Sequence, residues 1–460
     1  MPYENEFAHY KPLKRISESE QVQALLKRVR RVKPESTTSV ALNSVALSEL
    51  KPSDWAPDFV VAIDGSMAEV PVDNGYPSAA IGYVTVASVL LDVAKMIRLD
   101  AHRPVDPKEF RTIENAESLD GALPGSNVIV DNELNALDSF RRALFELFQS
   151  KRISDEGESI LDTYEALLKY KPTPDQHQCP YDDCLRPDKH YERGDSEYAC
   201  SCSHARSLFS TDALRIHESM NPEGSNQSVL TQTINALERI WVIHFLRTLE
   251  QEKLLPVLQR LAIVIDGPLA VFDDPAWLSS AIKNELSRIN SVTKQAVGDD
   301  KFDLLLFGIE KSGSFMEHLI ELDKGPNGEL DALPRQVARL LTDDYIKQRI
   351  VFSTSDRVYG RNTYFGRKAF YKTASGALIV INSPFLNEDH SDLKRAEASQ
   401  FPRLADTMSL LDKLVSARYR NSVMPLISAH AEAAIPMNLG RRVLEKLARQ
   451  LMAESAKVKA

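Results

Sequence analysis

The sequence predicts an α/β fold, and three observations support this prediction. Residues 60–63 and 261–265 are short apolar runs about 200 residues apart, with the composition of buried strands, and each run is followed by Asp-Gly. Residues 79–91 alternate between apolar and polar side chains, which is the period of a half-buried strand. Long segments elsewhere carry apolar residues at helical spacing, which predicts helices packed on a sheet.

The two Asp-Gly phrases place Asp64 and Asp266 at the carboxyl ends of predicted strands. Open α/β sheets bind their ligands at that edge, and two carboxylates held there can share a divalent metal ion. The alternative is a simple turn, because Asp bonds its own backbone and Gly adopts positive φ. The recurrence of the phrase favours a site, so metal-dependent phosphoester chemistry is the first hypothesis.

The other elements follow in order along the chain. A capping box at residues 17–20 begins a helix, and the first core strand begins near Phe59. Helices are predicted at residues 133–150 and 228–253, and the chain is mostly helical from Ala405. Further strands are predicted at residues 303–309, 349–354, 364–372 and 377–382.

Length and composition are those of an ordinary globular protein, with 460 residues, 43% hydrophobic and 26% charged. This length allows two or three domains, or one large domain with insertions. The net charge of −9 gives no indication of nucleic acid, although acidic metal sites lower the net charge even of nucleases. The N-terminus lacks the apolar core of a signal peptide, and the longest apolar stretch, residues 83–94, is too short to span a bilayer. We therefore expect a cytoplasmic protein that is not bound to a membrane.

The cysteines are confined to residues 171–227, a segment rich in Pro and Ser. In a reducing compartment such clustering favours a metal site over disulfides. The order C-x4-C, fifteen residues and C-x-C resembles a zinc ribbon, although neither half has the usual C-x2-C. Four thiolates leave no open position for a substrate, so we expect a structural Zn²⁺, the alternative being reduced thiols in a surface loop. The four cysteines are Cys179, Cys184, Cys200 and Cys202.

A third acid is expected to complete the carboxylate site. Glu238 lies in the apolar sector of the predicted long helix, where a buried carboxylate needs a partner. A metal shared with Asp64 and Asp266 would supply that partner, and a salt bridge to an arginine is the alternative. Asp131 and Glu133 follow another apolar run and are rival candidates.

His430 and several cations are further candidates for the site. A lone histidine among small apolar residues is usually structural, but beside carboxylates His430 would be able to bind the second metal ion or handle a proton. Lys311 either contacts phosphate or caps the turn after the strand at 303–309. Five cations alternate with aromatic residues in a pattern suited to single-stranded DNA, with a solvent-facing hairpin as the alternative. These cations are Arg357, Arg361, Arg367, Lys368 and Lys372.

Several of these segments together resemble the NurA nuclease family, whose members act with the HerA hexameric translocase. The resemblance rests on the strand phrase 63–66, the helical acid followed by 265–267, the segment 308–312 and the closing segment 425–430. It covers most of the chain outside the cysteine-rich insertion. In one departure, Ser422 and Val423 occupy the places where the family usually has Tyr-Pro, and Tyr419 is out of register.

The resemblance implies an RNase H-like core, with a mixed central sheet flanked by helices, to which the chain adds a zinc-ribbon-like insertion. It implies a homodimer that binds Mn²⁺ or Mg²⁺, with Asp64, Glu238 and Asp266 as metal ligands and His430 in the site. It also implies 5′-to-3′ exonuclease and single-strand endonuclease activity on DNA, stimulated by a HerA-type ATPase, in end processing or anti-phage defence. Oxygen ligands suit Mg²⁺ or Mn²⁺, and a histidine shifts the preference toward Mn²⁺.

The expected organisation has four parts: an N-terminal helical arm at 1–55, core segments at 56–170 and 228–460, and the insertion at 171–227. Two other functions remain open at this stage. One is a catalytically weakened relative that binds DNA ends or regulates a partner, suggested by the missing tyrosine. The other is a zinc-dependent interaction protein in which the Asp-Gly phrases are only turns.

Overall fold

The computed structural model describes most of the chain. The described residues are 10–29, 42–53, 57–94, 114–131, 133–153, 156–172, 177–181, 184, 190–191, 195–200, 206–324, 331–416, 421–435, 443–444 and 446. The chain divides into two units, Met1–Ala41 and Leu42–Ala460.

Within the first unit, the structure contains helices α1 (Lys11–Glu18) and α2 (Glu20–Arg28). The helix predicted after the capping box at 17–20 is confirmed as α2, but it begins at Glu20, and α1, which was not predicted, precedes it. Ser19 has an extended backbone, with ψ of 122°, and its carbonyl accepts the Gln23 N–H, so a new helix begins there. Serine favours this position because it suits a helix N-terminus better than a helix interior.

The second unit is built around one mixed sheet, which has nine strands among the described residues, in the order β1-β11-β12-β13-β10-β9-β2-β3-β4. Four two- or three-residue strands, β5 to β8, form two small hairpins in the cysteine-rich segment. The strands are β1 (Asn43–Ala46), β2 (Phe59–Pro71), β3 (Ala80–Asp92), β4 (Glu114–Pro124), β5 (His177–Gln178), β6 (His190–Tyr191), β7 (Glu197–Ala199), β8 (Ser207–Phe209), β9 (Leu261–Asp266), β10 (Leu306–Glu310), β11 (Val337–Leu340), β12 (Gly366–Lys372) and β13 (Leu378–Pro384).

The strand directions place the two Asp-Gly phrases side by side. Strands β2, β3 and β4 form an antiparallel meander, while β9 runs parallel to β2 and β10 runs parallel to β9. In the register of β2 and β9, Ile63 lies opposite Ile265. The residues that follow, Asp64 and Asp266, are therefore neighbours on the two strands. Asp266 ends β9 as predicted, but β2 continues to Pro71 with Asp64 opposite Ala87 of β3, so the prediction that Asp64 lies at the carboxyl end of its strand is wrong.

Helices cover both faces of the sheet. They are α3 (Ala136–Ser150), α4 (Ile160–Leu168), α5 (Gln227–Gln251), α6 (Leu278–Val297), α7 (Ser314–Leu322), α8 (Asp343–Arg349), α9 (Glu388–Ser391), α10 (Leu404–Leu414) and α11 (Met424–Ala433). One hydrophobic core joins Val61 and Ile63 of β2 to helices α3 to α6, and the other joins Val60 and Ala62 to α10 and α11. Because successive side chains of a strand point to opposite faces, α5 and α11 pack on opposite sides of β2.

Most predicted elements of the core are confirmed, with shifted ends. The strands near 59, 79–91, 303–309, 364–372 and 377–382 are present, as are the helices predicted at 133–150 and 228–253. The strand predicted at 349–354 is wrong, because α8 occupies residues up to Arg349 and the following residues are irregular. Within the described residues, no helix is both long and apolar enough to cross a bilayer.

The buried histidine of α5 predicts a pH dependence of stability. His244 is fully buried, its Nδ1 lies 2.8 Å from Thr163 Oγ1, and burial lowers its pKa from 6.5 to about 4. Between these values the unfolded chain binds a proton that the folded protein excludes, so stability falls as the pH falls below 6.5. From pH 7.5 to pH 5.0 we expect this group to remove about 2 kcal/mol from the free energy of unfolding.

Urea unfolding of wild type and His244→Gln at these two pH values measures that contribution. The variant should lose about 2 kcal/mol less than wild type between pH 7.5 and pH 5.0, because its side chain does not titrate. An identical loss in the two proteins would contradict the prediction.

Candidate active site

Asp64 and Asp266 project from the same face of the sheet. In β2, Asp64 continues the alternation of Val60 and Ala62, and in β9, Asp266 continues that of Ala262 and Val264; these four apolar residues belong to one core. Asp64 is only 4% exposed, and its Oδ1 accepts the Gly65 N–H at 2.8 Å. The Asp266 side chain is about a quarter exposed, at 24%. The pair therefore combines one buried and one accessible carboxylate.

His430 approaches this pair from α11, which packs against β2 on the same face. Its Nδ1–H donates to Asp64 Oδ2 at 2.9 Å, while the side chain as a whole remains 63% exposed. Burial and the negative charge of Asp266 raise the pKa of Asp64, and the bond from His430 acts in the opposite direction. Since Nδ1 is engaged, Nε2 is the nitrogen left to bind a metal ion or carry a proton.

Lys311 supplies a cation to Asp266, the other member of the pair. It follows β10 directly, and its Nζ donates to Asp266 Oδ2 at 3.0 Å. Its charge also acts against the raised pKa of Asp64. Lys311 thus contacts the Asp266 carboxylate. The sequence analysis had predicted either a phosphate contact or a cap on the turn after the strand.

Glu238 contacts Gly65, the residue after Asp64, from the face of the sheet opposite to the Asp64 side chain. It is 6% exposed on α5, as its helical position predicted, and its carboxylate lies against Gly65. A Cβ at position 65 would lie 2.7 Å from Glu238 Oε1 and 2.9 Å from Ile234 Cγ2, so glycine is required for this approach. The backbone of residue 65 therefore separates Glu238 from the Asp64 side chain.

Arg239 is a buried partner of Glu238 that the sequence analysis did not identify. The two side chains form an ion pair, and Arg239 Nη2 also donates to the carbonyls of Asp266 and Pro268 at 3.3 and 3.1 Å. Burial lowers the pKa of Arg239 to about 10, opposed by the charges of Asp266 and Asp64. The salt-bridge alternative for Glu238 is therefore realised with its chain neighbour, and the same guanidinium holds the turn after Asp266. The sequence signal for this ion pair was the presence of a second charged residue, Arg239, directly after Glu238 in an otherwise apolar part of the helix.

The rival acids lie apart from this cluster. Asp131 is exposed, and Glu133 forms an ion pair with Arg142. Ser422, at the family's tyrosine position, uses its carbonyl to accept the Ser416 N–H at 2.8 Å. Tyr419 lies outside the described residues.

The prediction that five cations form a DNA-binding surface with the neighbouring aromatic residues is wrong for three of them. Strand β12 is a central strand with both neighbours paired, and Arg367, Lys368 and Lys372 are 1–3% exposed. Arg367 donates to backbone carbonyls, among them His390 O at 3.2 Å, while Lys372 pairs with Asp323 at 2.6 Å. These cations stabilise the interior and are not available to a nucleic acid.

Lys368 belongs to a buried polar cluster that the sequence analysis also missed. It forms an ion pair with Glu310 and donates to Asn382 Oδ1 at 2.9 Å, and Asn382 Nδ2 donates to Glu310 Oε1 at 2.8 Å. Its ammonium lies 4.4 and 4.5 Å from the ring centres of Phe315 and Tyr364. Burial lowers the pKa of Lys368, opposed by the charge of Glu310. Because Lys311 follows Glu310, this cluster fixes the backbone from which Lys311 extends.

The cysteine-rich segment brings three of its four thiols together. The Sγ atoms of Cys179, Cys184 and Cys200 all lie within 4.8 Å of one another, and all three residues are buried. Cys202 lies outside the described residues. Sulfur donors at this spacing suit a tetrahedral Zn²⁺, whereas the carboxylates and histidine at the sheet edge suit Mg²⁺ or Mn²⁺. The chain therefore has two donor sets of different chemical character.

Comparison with known proteins gives one family match. The sequence matches the NurA domain family over residues 59–435, more than half of the chain. Among solved structures, the NurA nuclease from Sulfolobus solfataricus aligns with 98% of this chain and 97% of its own, at 10% identity and a TM-score of 0.30. No functionally curated protein matches the sequence. The matched range includes Asp64, Asp266 and His430.

Proposed function

Because the chain belongs to the NurA family of nucleases, we propose that it is a divalent-metal-dependent DNA nuclease. One observation carries this proposal: Asp64 and Asp266 lie side by side on one sheet face, and each carboxylate accepts a hydrogen bond from a nitrogen donor, His430 or Lys311. Burial and the charge of Asp266 raise the pKa of Asp64, so the ionised pair needs positive charge beside it. A divalent ion satisfies the same need.

We assign the catalytic and metal-binding roles to Asp64, Asp266 and His430. Glu238, the fourth predicted residue, lies on the opposite face in an ion pair with Arg239 and would have to leave that partner to join them. The oxygen and nitrogen donors of the three assigned residues fit Mn²⁺ or Mg²⁺. When bound, such an ion activates water and neutralises charge on a phosphodiester. His430 is largely exposed, and its Nε2 would have one of two roles: as a neutral imidazole it would bind the metal ion, and in protonated form it would give a proton to the leaving oxygen.

Lys311 and Arg239 have supporting roles in this proposal. Lys311 pairs with Asp266, and if a metal ion were bound by Asp266, the Lys311 ammonium would be free to contact a substrate phosphate. Arg239 balances the charge of Glu238 and holds the carbonyl of Asp266, which fixes the strand end.

The proposal extends to the fold and its additions. The meander β2-β3-β4, with β9 and β10 added in parallel on the side of β2, supports an RNase H-like core. We propose a core formed by 56–170 and 228–460, an arm at 1–55, and a zinc-ribbon-like insertion at 171–227 that binds structural Zn²⁺ through its four cysteines. The three neighbouring thiols support the zinc site.

Finer activities follow from the family and stay proposals. They are 5′-to-3′ exonuclease and single-strand endonuclease activity, a homodimeric state, and work with a HerA-type ATPase in end processing or anti-phage defence. A second candidate, a weakened relative that binds DNA ends, is favoured by Ser422 at the family's tyrosine position.

Cleavage of DNA labelled at its 5′ or 3′ end, with Mn²⁺, Mg²⁺ or EDTA, tests the function. We expect cleavage of single strands with Mn²⁺, weaker cleavage with Mg²⁺ and none with EDTA. Each reaction should be repeated with the cognate ATPase, since the family acts with such a partner. Metal-independent cleavage would contradict the proposal, and DNA binding without cleavage in every reaction would favour the weakened relative.

A further inference from the structure

An ordered loop joins α8 to β12, and we call residues 350–365 the 350–365 loop. Its backbone at Ser355 and Tyr359 is held by a buried ion pair of α8, in which Lys347 Nζ lies 2.6 Å from Asp343 Oδ2. Asp343 Oδ1 accepts the Tyr359 N–H at 2.6 Å, and Lys347 Nζ donates to Ser355 O at 2.9 Å. Two buried charges thus fix the loop backbone at two points.

The second half of the loop is attached to the segment that follows Asp266. Thr363 O accepts the Val271 N–H at 2.9 Å, and the Phe365 N–H donates to Leu269 O at 2.9 Å. Leu269 is three residues beyond Asp266, a reach of about 10 Å at most in an extended chain. The loop therefore borders the candidate active site.

The side chains of the loop separate into an inner and an outer set. Tyr359 and Tyr364 turn inward, with their ring centres 5.7 Å apart, and Tyr364 packs edge-on against Phe272. Phe352 points outward and is 73% exposed, and Arg357 and Arg361 are also exposed. The loop has these two arginines against one aspartate, in a chain whose net charge is −9. A rigid backbone here presents an aromatic ring and two cations to solvent.

We propose that the 350–365 loop binds single-stranded DNA beside the active site, with Phe352 stacked on a base and Arg357 and Arg361 contacting phosphates. Proteins that hold single strands combine an aromatic stacking platform with cations that follow the backbone, and the outer set has both parts. Base stacking requires an unpaired base, so Phe352 gives preference for a single strand over a duplex. This inference rests on the proposed nuclease function and assigns its substrate surface.

Binding of fluorescein-labelled oligothymidylate, followed by anisotropy in EDTA to prevent cleavage, tests the proposal. Phe352→Ala is expected to raise the Kd at least about fivefold, the lower end of the effect of losing one stacked base, while Phe352→Trp retains wild-type binding. Tyr76→Ala is the matched control, because Tyr76 is 69% exposed on the turn between β2 and β3 and should leave the Kd unchanged. Arg357→Gln and Arg361→Gln should each lower the slope of log K against log salt by about 0.7.

The outcomes separate this proposal from the proposed function. If wild type neither binds nor cleaves DNA under any condition, the nuclease function itself fails. If wild type cleaves DNA but Phe352→Ala binds oligothymidylate as tightly as wild type, the loop surface is overturned and the nuclease stands. An equal loss of affinity for single strands and duplexes overturns base stacking. Should Phe352→Ala unfold, the salt slopes of the two arginine variants decide, since unchanged slopes overturn the proposal.

Discussion

Replacing Asp64 or Asp266 by Asn is expected to lower metal-dependent DNA cleavage at least about a hundredfold while the fold survives. Each substitution removes a negative charge that would help to hold the metal, and several kcal/mol of charge stabilisation correspond to this loss of rate. The amide has the shape of the carboxylate that it replaces, so in Asp64→Asn its oxygen would still accept the Gly65 N–H, while its NH2 group would take the place of Oδ2 and donate to Nδ1 of the other His430 tautomer. Cleavage of labelled single-stranded DNA with Mn²⁺ measures the effect.

The stability of the same variants gives a second measurement. Burial and the charge of Asp266 raise the pKa of Asp64, so its ionised form is unfavourable without a cation. Asp64→Asn should therefore have a Tm in EDTA equal to or above that of wild type, and should lose the increase in Tm that Mn²⁺ gives wild type.

Asp131→Asn is the matched control, because Asp131 is an exposed acid of the same type outside the cluster. It should retain wild-type cleavage and the wild-type response to Mn²⁺. A folded Asp64→Asn or Asp266→Asn protein that cleaves within a fewfold of wild type would exclude these carboxylates as metal ligands.

Loss of Zn²⁺ from the cysteine cluster is expected to unfold the segment around residues 177–209. The small apolar cluster of this segment consists of Cys179, Cys184 and Cys200 with Tyr181 and Leu208, against which Tyr198 packs. So few residues cannot offset the entropy of ordering the chain, whereas Zn²⁺ in small sites contributes about 10–16 kcal/mol. We expect one zinc per chain in wild type and none in Cys200→Ser.

The effect should extend into the helical layer. The Arg141 guanidinium lies over the Tyr181 ring, 4.8 Å from the ring centre. Arg141 is buried and forms ion pairs with Asp138 and Asp212 at 3.0 and 2.6 Å. When the cysteine segment unfolds, Arg141 loses its aromatic cover and becomes accessible to water. Limited proteolysis, metal analysis and the Tm of wild type, chelator-treated protein and Cys200→Ser follow these changes together.

The catalytic variant is the control for the zinc site. Asp64→Asn should keep its full zinc content, and Cys200→Ser should keep the response of its folded core to Mn²⁺ if the two donor sets are independent. Full resistance of Cys200→Ser to proteolysis at residues 177–209, with an unchanged Tm, would refute a structural metal in this segment.

The sequence predicted the neighbouring positions of Asp64 and Asp266 well, because apolar runs are local signals for buried strands. The Asp-Gly phrase marks the end of the strand only in β9, where Gly267 has positive φ. Strand β2 continues through Gly65 because β3 pairs with it as far as Pro71, and that pairing is not visible in the local sequence. The burial of Glu238 was predictable from a local signal, since helical periodicity alone places it among apolar neighbours.

The partners of buried charges were not predictable, because they are distant in the chain. Lys368 meets Glu310 from 58 positions away, and Lys372 meets Asp323 from 49 positions away. In the local sequence, where these partners are not visible, the cations of β12 have the pattern of a basic surface. Strand β4, residues 114–124, was missed because it is an edge strand with several acidic residues, which weakens the alternation.

The bond between His430 and Asp64 joins residues 366 positions apart. A ribosome that adds about 5–20 residues per second would make Asp64 roughly 20 to 70 s before it makes His430. During that interval the strands are able to pair, but the chain does not yet have the residues of α11. A site that requires His430 would therefore remain incomplete until α11 has been synthesised.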